Sequence, residues 1–286
     1  MTRLLCVGQP STRFIKLGAI PSTPTKVLAN AYMEAGGDGS ERKRRRRTLG
    51  RHRPLLGPCW RRCAGRAHRC LARGGGVQTA VVRRIAGARS PCTAFLVDDR
   101  RERLICTYND PVLNADATWL PIALLVDVVL ADVRWPEGAA RALAAARAAG
   151  VPAVLDGDVA PAATLRELCR CCDYAIFSHP GLSLASGAAA VGEGLRRMQK
   201  IAGGMVGVTL GADGFLWLDA RHEQRARPPR VVVVDTLAAG DVFMPRSHWR
   251  SANDARSPMP LRSSERCPIP RAGYANGLRA RAALKR

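Results

Sequence analysis

Long apolar runs are scarce in these 286 residues. The longest, Leu120 to Ala131, is broken by Pro121 and Asp127, and a bilayer-crossing helix needs about 20 consecutive apolar residues. No membrane span is expected. The N-terminus, MTRLLCVGQP, lacks an apolar stretch long enough for a secretory leader. The expected setting is therefore cytoplasmic and reducing, and the ten cysteines read as thiols instead of a disulfide framework. Aromatics are few, at 5%, yet the hydrophobic fraction of 47% is ordinary for a globular protein and excludes wholesale disorder and collagen-like repeats. A chain of this length can bury a sizeable core in one large domain or two small ones.

Acidic residues are the other shortage. Twenty-three Asp and Glu face 45 Lys and Arg, a formal charge of +22, which taken alone points to nucleic acid. The excess is local. Residues 41–73 carry 12 Arg, one Lys and one Glu; residues 244–286 carry nine Arg, one Lys, one Asp and one Glu. These two segments hold +20 of the +22, so the rest of the chain is nearly balanced. The chain reads as an ordinary globular sequence joined to two arginine-rich stretches.

The globular part alternates strand and helix signals. LLCVG at 4–8 is a first strand. TAFLVDD at 93–99 and RLICTYND at 103–110 flank a charged turn and read as a hairpin. ALLVDVVLAD at 123–132 is a buried strand. Pro136 and Glu137 open an alanine-rich helix that stops at Gly150. Strands follow at 151–156, 173–178, 205–211, 214–219 and 230–235, with helices at 161–172 and 189–202. Asp38 to Arg73 shows no helical or strand periodicity. Such alternation predicts βαβ units and a mostly parallel sheet covered on both faces. Ligands then sit beyond the carboxyl ends of the strands, which directs attention to Asp156–Asp158, Ser178–Pro180, Gly211–Gly214 and Asp235–Asp241.

The segment Val231-Val232-Val233-Val234-Asp235-Thr236-Leu237-Ala238-Ala239-Gly240-Asp241 carries the most chemistry. Four valines make a buried strand. The small residues that follow allow the backbone to approach a ligand closely. A helix starting near Ala239 would offer unpartnered amides and its dipole to an anion. A carboxylate at 241 beside such a hole suits a base that takes a proton from an attacking hydroxyl. A simple helix-capping role for Asp235 or Asp241 serves these residues equally well on chemistry alone.

This segment resembles the C-terminal signature of the ribokinase-type (PfkB) carbohydrate kinases, Asp-Thr-x-Gly-Ala-Gly-Asp. Asp235, Thr236, Ala239, Gly240 and Asp241 match, and Ala238 replaces a glycine. Upstream, Thr209-Leu210-Gly211-Ala212-Asp213-Gly214 resembles the family's Thr-x-Gly-x-x-Gly nucleotide loop, a pattern that alone signals only a hairpin turn. Tyr174 to Leu182 resembles the strand and loop on the nucleotide side, where His179, read as a loop residue, stands in place of a frequent magnesium-organising carboxylate. Asp156 and Asp158 suit loop capping or a water-mediated magnesium role. The resemblance runs from about Val77 to Phe243, with a fragment at 1–37. It implies a three-layer α/β/α ribokinase-like sandwich with a mostly parallel central sheet and a small β lid, spanning residues 1–243. It further implies ATP-dependent phosphorylation of a sugar hydroxyl. Asp241 would be the general base, and Ala238, Ala239 and Gly240 the anion hole. Thr209, Gly211, Gly214, Asp235 and Thr236 would bind nucleotide, and Gly36, Gly37 and Asn109 the sugar. ATP and Mg2+ are the implied cofactors, with no protein ligand assigned to the metal, and a homodimer through the lid is the implied assembly.

Departures are local too. The asparagine expected after Gly36-Gly37 is absent, and Gln9-Pro10-Ser11-Thr12-Arg13 stands where an early substrate-binding aspartate is expected. Arg42 to Arg47 suits a nucleic-acid arm, although Trp60 is the only aromatic in 41–73. Cys59, Cys63, His68 and Cys70 do not have zinc-ligand spacing. Cys169 and Cys172 share a helical face and read as buried apolar residues. The family pattern breaks abruptly at 38–76 and after Phe243, and less sharply at 9–17, as GC-rich coding sequence read in a shifted frame would break it. The alternatives to a sugar kinase are thus a basic nucleic-acid binder acting through 41–73 on a kinase-derived core, or an inactive frame-disrupted kinase.

Overall fold

The computed structural model describes residues 3–9, 11–17, 32–36, 53–59, 77–78, 82–97, 103–114, 116–120, 125–219 and 222–228. Fourteen strands and four α-helices are defined among them. The strands are β1 (Leu4–Val7), β2 (Thr12–Leu17), β3 (Tyr32–Gly36), β4 (Arg53–Cys59), β5 (Val77–Gln78), β6 (Val82–Arg84), β7 (Cys92–Val97) and β8 (Arg103–Tyr108). They continue as β9 (Val128–Asp132), β10 (Ala153–Gly157), β11 (Tyr174–Ser178), β12 (Met205–Thr209), β13 (Phe215–Asp219) and β14 (His222–Ala226). The helices are α1 (Pro136–Ala148), α2 (Ala162–Arg170), α3 (His179–Ser186) and α4 (Val191–Gln199).

Ten strands form the central sheet, in the order β14-β13-β12-β11-β10-β9-β1-β4-β5, with β6 also on β4. From β12 to β4 the pairing is parallel, and β13 and β14 add an antiparallel edge. Parallel neighbours need crossovers, and the helices supply them. Residues alternate between two apolar clusters. Leu5, Val7, Val129, Ala131, Leu155 and Phe177 pack with Leu143, Leu165, Leu182 and Leu195 of the helices. On the opposite face Leu4, Cys6, Val128, Leu130, Val154 and Ile176 gather with Phe215 and Trp217. Both faces are buried, which is the signature of a sheet at the centre of a layered α/β structure.

Helix limits follow from local chemistry. Pro136 occupies the first turn of α1 and Glu137 stands beside it, while Arg147 lies in the last turn and Gly150 takes φ +67° just beyond. Ser178 caps α3 by accepting a hydrogen bond from the Gly181 amide, at 3.1 Å. His179, expected in a loop, is instead the first residue of that helix, because this cap and Pro180 start it there. Of the strand expected over 123–132, Val128–Asp132 forms one while 125–127 do not, and 123–124 lie outside the described residues; the Asp127 amide donates to the Arg3 carbonyl over 2.8 Å.

A second sheet of four strands, ordered β3-β2-β7-β8, forms the small β lid. The 93–110 hairpin is present as β7 and β8. Residues 12–17, within the stretch where the family pattern weakens, are a central lid strand. The largest departure from expectation is β4. It lies in the arginine-rich stretch that shows no periodicity, yet it pairs with β1 inside the central sheet. The expected final strand at 230–235 and the basic segment 244–286 lie outside the described residues.

Candidate active site

The carboxyl ends of β1, β9, β10, β11 and β12 share one edge of the sheet, and the lid rises from that edge directly after β1. At β9 and β10, Asp132 and Asp156 are register partners, so their side chains leave the same face side by side. Both are buried. Gly8, at the end of β1, makes room for them: a Cβ there would stand 2.1 Å from an Asp132 carboxylate oxygen. Any larger residue there would have to displace the Asp132 carboxylate.

Asp158 organises the next loop. It pairs with Arg134 at 3.0 Å and accepts a hydrogen bond from the Ser178 hydroxyl at 3.0 Å. Arg134 also donates to the Val159 carbonyl, and its amide donates to Asp132. The chain Arg134–Asp158–Ser178–Gly181 therefore locks the β10 end against the start of α3. Of the two roles open to Asp158 from sequence, loop ordering is the one these bonds express. Gly157 and Gly181 meet backbone to backbone here, since a Cβ on Gly181 would lie 2.1 Å from the Gly157 carbonyl oxygen.

Thr209 closes β12, and its hydroxyl donates to the Phe177 carbonyl at 3.3 Å. Gly211 to Asp213 form a single 3-10 turn, and Leu210 accepts from Asp213 while donating to Gly214. Gly211 and Gly214 take φ of +58° and +95°, conformations that side chains rarely adopt. Gly214 is doubly fixed, because a Cβ would strike the Ala226 carbonyl at 2.0 Å. Thr209, Gly211 and Gly214, three of the five expected nucleotide residues, thus form a tight hairpin turn at the ligand-facing edge, and its glycines are required by the turn itself.

Gly36 ends lid strand β3 opposite Thr12. Asn109 is half-buried immediately after β8, beside the buried Asp110. Gly37, Asp235, Thr236, Ala238, Ala239, Gly240 and Asp241 lie outside the described residues. Asp132 and Arg134 were not singled out in the sequence, although the run VVLAD ends with an acid at the ligand-facing edge, which is the available signal. Among the described residues no group of three or more His, Cys, Asp or Glu is placed to hold a metal ion, and no helix is long and apolar enough to cross a membrane.

Cys169 in α2 and Cys172 two residues beyond its end are structural. Burial pushes the Cys169 thiol up to about 12 and raises Cys172 as well, both at the helix–sheet core. Neither forms thiolate near neutrality, so neither serves as a nucleophile.

Residues 63–244 match the model of the pfkB family carbohydrate kinases. Among solved structures, a ribokinase-designated protein of Agrobacterium tumefaciens is 31% identical, with a TM-score of 0.82, covering 90% of this chain and 86% of that one. Arabidopsis thaliana ribokinase, solved with ribose and ATP, is 18% identical with a TM-score of 0.71 over 89% of this chain and 87% of its own. Cryptococcus neoformans ribokinase, solved with ADP, is 16% identical with a TM-score of 0.72, over 88% and 87%. The fold is ribokinase-like, and the chain belongs to the pfkB family of carbohydrate kinases, phosphotransferases that act on sugars.

Proposed function

We propose that this chain transfers the terminal phosphoryl group of ATP to a hydroxyl of a sugar. The observation that carries this reading is the shared edge: the Thr209–Gly214 turn, the Asp156–Asp158 loop and the start of α3 all open where the lid departs. The family match extends through residue 244 and so includes Asp235–Asp241. In this reading Asp241 accepts the proton of the attacking hydroxyl. The amides of Ala238, Ala239 and Gly240 hold the transferring group, and charge builds on oxygens already facing fixed donors. Thr209, Gly211, Gly214, Asp235 and Thr236 line the nucleotide, while Gly36, Gly37 and Asn109 face the sugar.

Hard carboxylate oxygens at this edge fit Mg2+. Asp156 or Asp158 would hold it through water, both standing at the end of β10 on this edge. When bound, the cation neutralises phosphate oxygens. The sugar enters beneath the lid. The outer lid strand β8 leaves Leu104, Ile105 and Tyr108 exposed, which supports a homodimer formed lid to lid. A cytoplasmic setting suits the six described cysteines, all free thiols.

Thermal denaturation with and without ATP and Mg2+, combined with coupled ADP release over a panel of sugars, tests the reading. Asp241→Asn is expected to keep the ATP-dependent stabilisation and to lose roughly 10²–10⁴-fold in turnover, the range for removing a general base. Retained turnover would remove Asp241 from the mechanism. Absence of any nucleotide effect in the wild-type chain would overturn ATP as donor.

A further inference from the structure

The chain passes between the central sheet and the lid four times: from β1 to β2, from β3 to β4, from β6 to β7, and from β8 back toward β9. Three of these passages are built largely from described residues. Two buried polar side chains tie them together. The Gln9 carboxamide donates from Nε2 to Asn114 Oδ1 at 2.7 Å, joining the outgoing passage to the returning one. Asp110 accepts from the Arg89 amide at 2.5 Å through one oxygen and from the Val112 amide at 3.1 Å through the other. It thereby joins the β6–β7 passage to the same returning segment. Gln9 is 2% exposed and Asp110 7%, so both ties are shielded from competing water.

The Gln9 tie is incomplete. Its Oε1 is buried and has no hydrogen-bond partner. A buried acceptor left unpaired is costly, and a lid position that brings it a donor would be favoured by roughly five- to a hundredfold. A tie with one bond made and one wanting is a joint with a preferred direction of travel.

We propose that Gln9 and Asp110 are positioning residues that set how the lid sits over the sugar, Gln9 through Asn114 and Asp110 through Arg89. The proposal rests on the kinase reading for its effect on catalysis, and on geometry alone for its effect on the lid. Neither residue needs to touch the reacting atoms. Loosening the joint should weaken retention of the sugar while leaving the nucleotide side, built on β10 to β12, unchanged.

The test uses the full chain with Asn114→Leu, the milder Asn114→Ala, and Asn114→Asp, which preserves an oxygen acceptor for Gln9. Amide exchange is measured on β7 and β8 against β10 to β12, and KM and kcat are measured with D-ribose and D-fructose as probes. Breaking the tie by Leu or Ala is expected to speed lid exchange about tenfold without changing the β10–β12 amides, the loss of one buried hydrogen bond being of that order. Sugar KM should rise similarly with ATP KM unchanged, and Asn114→Asp should retain wild-type values. Equal loosening of both sheets, or identical lid exchange in all variants, would overturn the proposal. If no sugar supports ADP release even in the wild-type chain, the kinase reading fails and the exchange comparison still decides the joint.

Discussion

At the residue scale, glycine and cysteine carry the least ambiguous constraints. Gly181 lies in the first turn of α3, where alanine ordinarily gains helix propensity of about 1 kcal/mol. Here its Cβ would meet the Gly157 carbonyl at 2.1 Å, and backbone cannot swing aside as a side chain can. Gly181→Ala is therefore expected to destabilise by about 1–3 kcal/mol, the range for overpacking, and urea denaturation checks it. For Cys169, the folded thiol ionises at about 12 against an ordinary value of 9.0. The unfolded chain therefore loses its proton first as pH rises. Stability from this group is intact below pH 9 and declines above it, by up to about 1.4 kcal/mol per pH unit in the window where only the unfolded thiol has ionised. Denaturation midpoints from pH 8 to 11 should fall less steeply in Cys169→Ala than in the wild type. Asp116 shifts in the opposite sense: the Thr118 hydroxyl, foremost, holds its carboxyl below the usual carboxylate range. Its contribution is present above the ordinary carboxylate pKa and is lost on acidification.

Elements were legible where local and global signals agree. Helix α1 shows its proline, acid and terminal glycine openly, and the observed limits, Pro136–Ala148, follow them. The β12–β13 hairpin was readable from Gly211 and Gly214 for the same reason. Helix α3 was not, because His-Pro-Gly reads as a loop until Ser178 is seen capping it. Strand β4 was hidden more deeply. Its two prolines and its glycine speak against a strand, and only its placement beside β1 makes one. The site divided similarly. The strand-end motifs were visible as motifs, while Asp132, Arg134 and the Gln9–Asn114 tie depend on contacts across 24 to 105 residues of chain. Strand β8 allows a prediction at this scale. Its residues 104–108 are all exposed, and among the described residues it is an edge strand, paired on one side by β7. With the proposed lid-to-lid homodimer, Ile105→Lys is expected to shift sedimentation toward monomer, while the exposed position limits the stability change to about 0.5 kcal/mol.

For the whole molecule, the charge distribution decides between readings. Nearly all of the net +22 lies in two stretches, while the balanced remainder supplies most of the kinase fold and the arginine-rich stretch 41–73 adds β4 to it. Any DNA binding by this chain is expected to be indifferent to sequence and to fall by about a thousandfold or more between 50 and 200 mM salt, as phosphate contacts by several arginines do. Gel shifts with two unrelated duplexes check it, and a sequence preference that persists at high salt would restore the nucleic-acid reading. The gene offers a separate check: family-like sequence in an alternative frame across 38–76 or beyond 243 would identify the arginine-rich stretches as frame-shifted. The insertion of β1 between β4 and β9 has a temporal meaning as well. Leu4 finds its partner at Val128, so on a ribosome adding about 5–20 residues per second the first strand waits roughly 6–25 seconds for that neighbour. During synthesis β4 can cover one flank of this apolar strand first, while the flank that later meets β9 stays open to other nascent chains.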